Sequence, residues 1–220
     1  MHIKPAPMTL PEYIHHLKQD ESLTLIDGGA CEVWELAVPN DVTYLGKWAS
    51  RFRQTYCPDS DIDVLRAGTG KSRAEYLLEL VFPDKTTPPG PGVRSGDFAE
   101  LLVSDYVEFI LGYRVPRGKY AEKGSRNESV KGVDIVGFKC LDAAYPKATD
   151  EMVTFEAKAQ LGGGKYKERL QVAVDDSNKD YLRAAETLAA MKRRMHIAGE
   201  QASMLVVQRF QDAVDRPYRL

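Results

Sequence analysis

VKGVDIVGF (residues 130–138) and VTFEAKAQ (residues 153–160) are the two runs on which the reading of this chain turns. Each is a β-branched, apolar stretch of strand length, yet each carries charge where a sheet ordinarily places aliphatic side chains: Asp134 in the first, Glu156 and Lys158 in the second. Charge held inside a strand needs a counter-charge, and for carboxylates a divalent metal ion is the most compact one. Strand alternation sends Val153, Phe155 and Ala157 to one face and Thr154, Glu156 and Lys158 to the other. Adjacent pairing of the two runs brings Asp134 to the same spot. Two hard oxygen ligands and one ammonium then surround a small cavity, the donor set of a magnesium site with a cation ready for a phosphate or an attacking water. The competing reading is a solvated Glu-x-Lys pair on an edge strand, and the order of the neighbouring elements weighs against it.

That order is specific. In SGDFAELLVSDYVEFILG (residues 95–112), Ser95 can cap a helix in which Phe98, Leu101, Leu102, Tyr106, Phe109 and Ile110 recur at three- and four-residue steps, and Gly112 ends it. A short strand at 113–116 follows, then strands at 130–138 and 152–160. A long helix at 177–198 turns Leu182, Ala185, Leu188, Ala189 and Met195 inward, and ASMLVVQRF (202–210) reads as a fourth strand. The expected class is α/β, with the order α-β-β-β-α-β and the charged groups on the second and third strands. Upstream, the prolines of FPDKTTPPGPGV (82–93) exclude regular structure and mark a boundary between an N-terminal α/β module at 1–90 and a domain at 91–220. Within the module the pattern predicts a short helix at 11–19, strands at 22–26 and 31–37 around Asp27-Gly28-Gly29, a helix capped by Asn40 or Asp41 and carrying Leu45, Trp48, Ala49, Phe52 and Tyr56, and another helix at 72–81.

Composition narrows the class. At 220 residues, 43% hydrophobic and 28% charged, the chain reads as an ordinary globular protein and neither disordered nor membrane-embedded. The opening MHIKPAPMTLPEY lacks the apolar core of a signal peptide and no lipidation motif closes the chain, so the cytoplasm is the expected compartment; AVDRPYRL at the end reads as the middle of a connection. Cys31, Cys57 and Cys140 are odd in number and far apart, which argues against a disulfide framework or a thiolate zinc site. His15 and His16 are adjacent and diverge on a helix. The net charge of −2 does not advertise a nucleic-acid binder, but Arg114, Arg117, Lys119, Lys123, Arg126 and Lys131 face only Glu122 and Glu128 in the stretch leading to Asp134. This basic stretch is either a solvated loop or a phosphate-contacting surface. AGTGKSRAEYLLEL (67–80) imitates the end of a phosphate-binding loop, yet Leu65 stands where that motif requires glycine, and a turn capped by Ser72 is the better reading.

GDFAE on the first helix, LGYRV before the first strand, GVDIVGF on the second and FEAKA on the third together resemble the PD-(D/E)xK, or restriction-endonuclease-like, nuclease superfamily. The resemblance implies a mixed central sheet flanked by helices. It implies that Asp134 and Glu156 ligate magnesium, or manganese, with the Ala157 carbonyl, that Lys158 handles the nucleophilic water or the transition-state charge, and that Glu100 supports the site from the helix. A helical wheel sets Glu100 away from the Phe98-Leu102-Phe109 stripe, so a solvent-facing glutamate is its alternative. Within the superfamily, SGDFAELL, ESVKGVDIVGF and FEAKAQ are similar to HamA, the nuclease family of the Hachiman anti-phage system, which works beside a superfamily 2 helicase and degrades DNA once activated. Val133 departs from the proline that often precedes the aspartate in the superfamily. The resemblance makes the expected function magnesium-dependent cleavage of DNA in anti-phage defence, with Arg117, Lys119, Lys123, Arg126 and Lys131 on the DNA and no membrane involved. The alternative is a catalytically silent module of the same fold that docks DNA or the helicase, against which the intact Asp134, Glu156 and Lys158 speak.

Overall fold

The computed structural model describes residues 11–140, 145, 147–161, 168–211 and 218–219, so the opening ten residues and most of AVDRPYRL lie outside the described residues. The chain divides into two compact units, residues 1–52 and 53–220.

In the first unit a 3-10 turn, Glu12–His16, leads into β1, Leu17–Thr24, which pairs antiparallel with β2, Ala30–Leu36. The helix expected at 11–19 is therefore one turn long. Pro11 enters it in an extended conformation with no side-chain cap, and from Leu17 onward the backbone pairs with β2. Asp27 Oδ1 accepts the Gly29 N–H at 2.9 Å in the connecting turn. Asp41 caps α1, Val42–Tyr56, by accepting the Tyr44 N–H at 2.7 Å, and Tyr13 stacks on Trp48 with ring centroids 4.5 Å apart.

The second unit carries the candidate site. Two short helices come first, α2, Ile62–Arg66, and α3, Arg73–Tyr76, the latter continuing as a π-turn over Leu77–Val81. Ser72 and Glu75 form a reciprocal capping box, so the GKS stretch serves to start a helix. Helix α4, Gly90–Phe109, begins inside the segment expected to be irregular. Its proline lies in the first turn, where the missing N–H has no intrahelical partner to lose. Then follow β3, Ile135–Lys139; β4, Glu151–Phe155; α5, Arg169–Ser177; α6, Asp180–Ile197; α7, Gln201–Gln211; and β5, Tyr218–Arg219.

Strands β3 and β4 are antiparallel from Ile135↔Phe155 to Lys139↔Glu151, and β5 runs parallel to β4. The strand expected at 113–116 is reduced to one antiparallel bridge, Arg114↔Phe138, in which each N–H donates to the other's carbonyl at 2.8 and 2.9 Å. The strand expected at 202–210 is helix α7. Its buried positions Ser203, Val206 and Val207 recur at helical spacing and form the face turned to the core. The chain is thus a mixed α/β protein.

The sheet has two packed faces. On one, Ile135 and Val153 meet Val107 of α4 together with Val115; on the other, Val136, Phe138 and Met152 meet Leu188, Met191 and Met195 of α6 and Val206 and Val207 of α7. Gly137 is what lets α4 close on the first face, since a Cβ there would stand 3.2 Å from Val107 Cγ1 of α4, as well as 3.0 Å from Tyr113 Cβ and Val153 Cγ1. Among the described residues no helix is long and apolar enough to cross a membrane.

Candidate active site

The antiparallel register, carried one residue past the Ile135↔Phe155 pair, sets Asp134 across from Glu156. Asp134 Oδ2 accepts the backbone N–H of Ala157 at 2.9 Å. Both residues lie just beyond the strand ends, and alternation carried past β4 turns Glu156 to the side of Met152, which meets α6. The approach of β3 is pinned from that side: the Val133 N–H donates to Thr187 Oγ1 of α6 at 3.0 Å, and Gly132, at φ +119°, has no room for a Cβ, which would sit 2.7 Å from the same hydroxyl. The two glycines of GVDIVGF therefore each allow one close approach, to α6 and to α4.

Lys158 Nζ pairs with Glu156 Oε1 and, at 3.0 Å, with Asp176 Oδ2 of α5. Glu100 is drawn into the site from α4, contrary to the solvent-facing alternative. It is only 17% exposed, accepts the Tyr120 hydroxyl at 3.0 Å and pairs with Lys119, whose ammonium also donates to the Asp134 carbonyl. The helical wheel missed this because a second surface, the 117–126 segment, covers the polar flank of α4.

The electrostatics are those of crowded carboxylates. Burial raises the Asp134 pKa, the Glu100 charge raises it further, and the Ala157 N–H, Lys119 and Lys158 pull the other way. Burial likewise raises Glu156, with the Lys158 hydrogen bond opposing and Asp134 adding to the rise. For Lys158, burial acts to lower the pKa, but hydrogen bonds to Glu156 and Asp176 more than offset it, and the net shift is upward. Asp176 is held down at about 2 by Lys179 and Lys158. Asp180, at the start of α6, is raised to about 6 by burial and then by Glu156.

Among the described residues no group of three or more His, Cys, Asp or Glu side chains is placed to hold a metal ion. The residues nevertheless fit a hard divalent cation. Glu156 Oε2 and both Asp180 oxygens are buried without a hydrogen-bond partner, and carboxylate oxygens of this kind are what magnesium and manganese take. The donors that could hold such an ion are Asp134 and Glu156, with the Ala157 carbonyl beside them.

Most of the basic stretch has partners within the chain. Arg117 pairs with Asp105 and Glu108, Lys119 with Glu100, Lys123 with Asp97, and Arg126 with Asp84. From Arg117 to Lys123 the partners step back along α4, so the two run antiparallel as a ladder of charges, and Arg126 reaches Asp84 ahead of the helix. Lys123 is 4% exposed and out of reach of a ligand phosphate, whereas Lys131 is exposed. A charge count along the sequence misses this because the acids that neutralise the segment lie on another element. Asp176 and Asp180 were also missed. Asp180, at a helix start, reads as a dipole-favoured surface group, and only its burial shows otherwise; Asp176, in the last turn of α5, is tied to the cluster only by its ion pair with Lys158.

No curated protein and no solved structure matches the chain. The HamA family model does match, over residues 11–220, and the chain therefore belongs to the HamA family, a component of Hachiman anti-phage defence.

Proposed function

We propose that this chain is a metal-dependent DNA nuclease that hydrolyses phosphodiester bonds in Hachiman defence, together with a helicase partner. The observation that carries the reading is the juxtaposition of Asp134 and Glu156 at the end of two paired strands, with Lys158 on Glu156 and Glu100 behind Asp134. The neighbour relations of the sheet support a PD-(D/E)xK core: an antiparallel bridge from Arg114, the antiparallel pair β3 and β4, then the parallel β5, with α4 on one face and α6 on the other.

Asp134, Glu156 and the Ala157 carbonyl would hold magnesium or manganese, which when bound supplies activation of a water and neutralisation of phosphate charge. The Ala157 N–H fixes the Asp134 carboxylate, and Lys119 fixes its backbone, so the donor is oriented before any ligand arrives. Lys158 remains an ammonium at neutral pH because its pKa is raised, which makes it a donor to charge developing on the phosphate rather than a base. Asp176 keeps that ammonium in place when Glu156 is engaged elsewhere.

The net charge of −2 and the internal pairing of the basic segment give little free positive surface, so unassisted DNA affinity is weak and salt-sensitive, and the helicase delivers the DNA. The test is incubation of the purified chain, alone and with the helicase encoded beside it, with plasmid, linear and single-stranded DNA in magnesium or chelator. Cleavage in magnesium, stimulated by the helicase and abolished by chelator and by Asp134→Asn, is the expected result. Cleavage that survives both, or none with the helicase present, contradicts the proposal.

A further inference from the structure

Asp180 opens α6 completely buried, at 0% exposure, and neither of its oxygens accepts a hydrogen bond. The helix N-terminus favours an anion there but does not satisfy it, and the nearest cation, Arg183 Nη1, stands 3.8 Å away on a side chain that is 38% exposed. A buried carboxylate without hydrogen bonds is among the costliest groups a fold can retain. Its position on α6 gives it a direction. Asp180 and Thr187 are seven residues apart and so share a helix face, and Thr187 is the residue that binds the Val133 N–H next to Asp134. That face looks at the strand ends. Glu156 Oε2, from the strand end, is also buried and unpartnered, and the charges of Glu156 and Asp134 are both felt at Asp180.

The cations nearby are already committed. Lys119 belongs to Glu100 and to the Asp134 carbonyl, and Lys158 is shared between Glu156 and Asp176. What the cluster lacks is a positive charge that can take several hard oxygens at once, and a divalent ion meets that description.

We propose that Asp180 is a third carboxylate of the divalent-cation site, contributed by α6 and shared with Glu156 and Asp134 from the sheet. The inference rests on the reading of Asp134 and Glu156 as the principal donors. The three carboxylates are not placed as a metal-holding group by themselves, so the inference requires cation binding to draw the start of α6 and the strand ends together.

Calorimetric titration of Mn²⁺ and Mg²⁺ into the wild-type chain, Asp180→Asn and Asp134→Asn, with thermal melting of each in chelator, tests this. Asp180→Asn should weaken Mn²⁺ binding at least about tenfold, the lower end of what lost site-supporting groups cost a metal site. It should also raise the melting temperature of the metal-free protein by roughly 3 °C, because an uncompensated buried charge has gone. Wild-type affinity in Asp180→Asn beside lost affinity in Asp134→Asn overturns the inference and leaves the Asp134 and Glu156 site standing. Absence of Mn²⁺ binding by the wild-type chain overturns both. A lower metal-free melting temperature for Asp180→Asn, or failure of both Asp180→Asn and Asp180→Ser to fold, assigns Asp180 to the architecture instead and overturns the inference.

Discussion

Asp134 Oδ2 accepts the Ala157 N–H at 2.9 Å, which joins the aspartate of one strand to the residue between Glu156 and Lys158 on the next. The bond continues the pairing of β3 and β4 beyond the last ladder residue by replacing a backbone acceptor with a side chain. It also explains why charge is tolerated at this point: the strand ends leave backbone N–H donors for carboxylates to accept from, which the middle of a sheet does not.

Lys158→Ala should lower single-turnover cleavage by on the order of 10²-fold or more, the range seen when one donor to transition-state charge is removed. Circular dichroism and DNA binding should change little. Because the ammonium pairs with Glu156 Oε1, the variant should bind Mn²⁺ at least as well as wild type. A cleavage rate near wild type removes Lys158 from the mechanism.

Lys123 and Asp97 form a buried pair that also receives the Tyr56 hydroxyl at 2.6 Å. Lys123→Ala leaves Asp97 buried with its counter-ion gone, and urea denaturation should show a loss of about 3 to 5 kcal/mol. DNA affinity of the folded fraction should be unchanged. An unaltered urea midpoint with weakened DNA binding would return Lys123 to the phosphate-contacting role suggested by the sequence.

Gly132→Ala should destabilise the chain by about 1 to 3 kcal/mol, since φ +119° is strained for any side chain and the new Cβ would press on Thr187 Oγ1. Loss of the Val133 to Thr187 hydrogen bond should also displace Asp134, so cleavage should fall further than stability. Chemical denaturation and cleavage measured on the same preparation separate the two effects.

Asp105 is fully buried against Arg117 and near Glu108, and burial, partly opposed by Arg117, raises its pKa to about 6. A carboxyl whose folded pKa lies above its unfolded value of roughly 3.9 gives stability that is complete below about pH 4 and lost as pH rises through about 6. Its contribution to that slope is on the order of 2 to 3 kcal/mol. Asp105→Asn should flatten the fall in unfolding free energy across this window, whatever its effect on absolute stability. An unchanged slope shows that Arg117 holds Asp105 ionised throughout.

Much of the β3 and β4 arrangement was legible because period-two alternation and misplaced charge are local signals: Asp134, Glu156 and Lys158 stand out within their own runs, and adjacent pairing follows from burying them. The first turn of α1 was legible for the same reason, through Asp41. What was hidden depends on surfaces brought together from a distance. The sequence leaves Glu100 open between a supporting role and a solvent-facing one, and only Lys119 and Tyr120 laid over α4 show its burial; the acids that pair with the cationic stretch, Asp97, Asp105 and Glu108, likewise lie on another element. Residues 202–210 are expected as a strand but form helix α7, where Val206 and Val207 are β-branched residues whose strand preference is overridden by packing against α6 and the sheet.

The central claim, that Asp134 and Glu156 hold one divalent ion, is tested most directly by crystals grown with Mn²⁺ and examined by anomalous scattering. The account predicts a peak at the ends of β3 and β4, with an oxygen of Asp134 and an oxygen of Glu156 each about 2.0 to 2.6 Å from it, the range of hard-cation coordination. A manganese ion bound elsewhere on the chain, with the Asp134 and Glu156 carboxylates still held by Ala157 and Lys158, would contradict it.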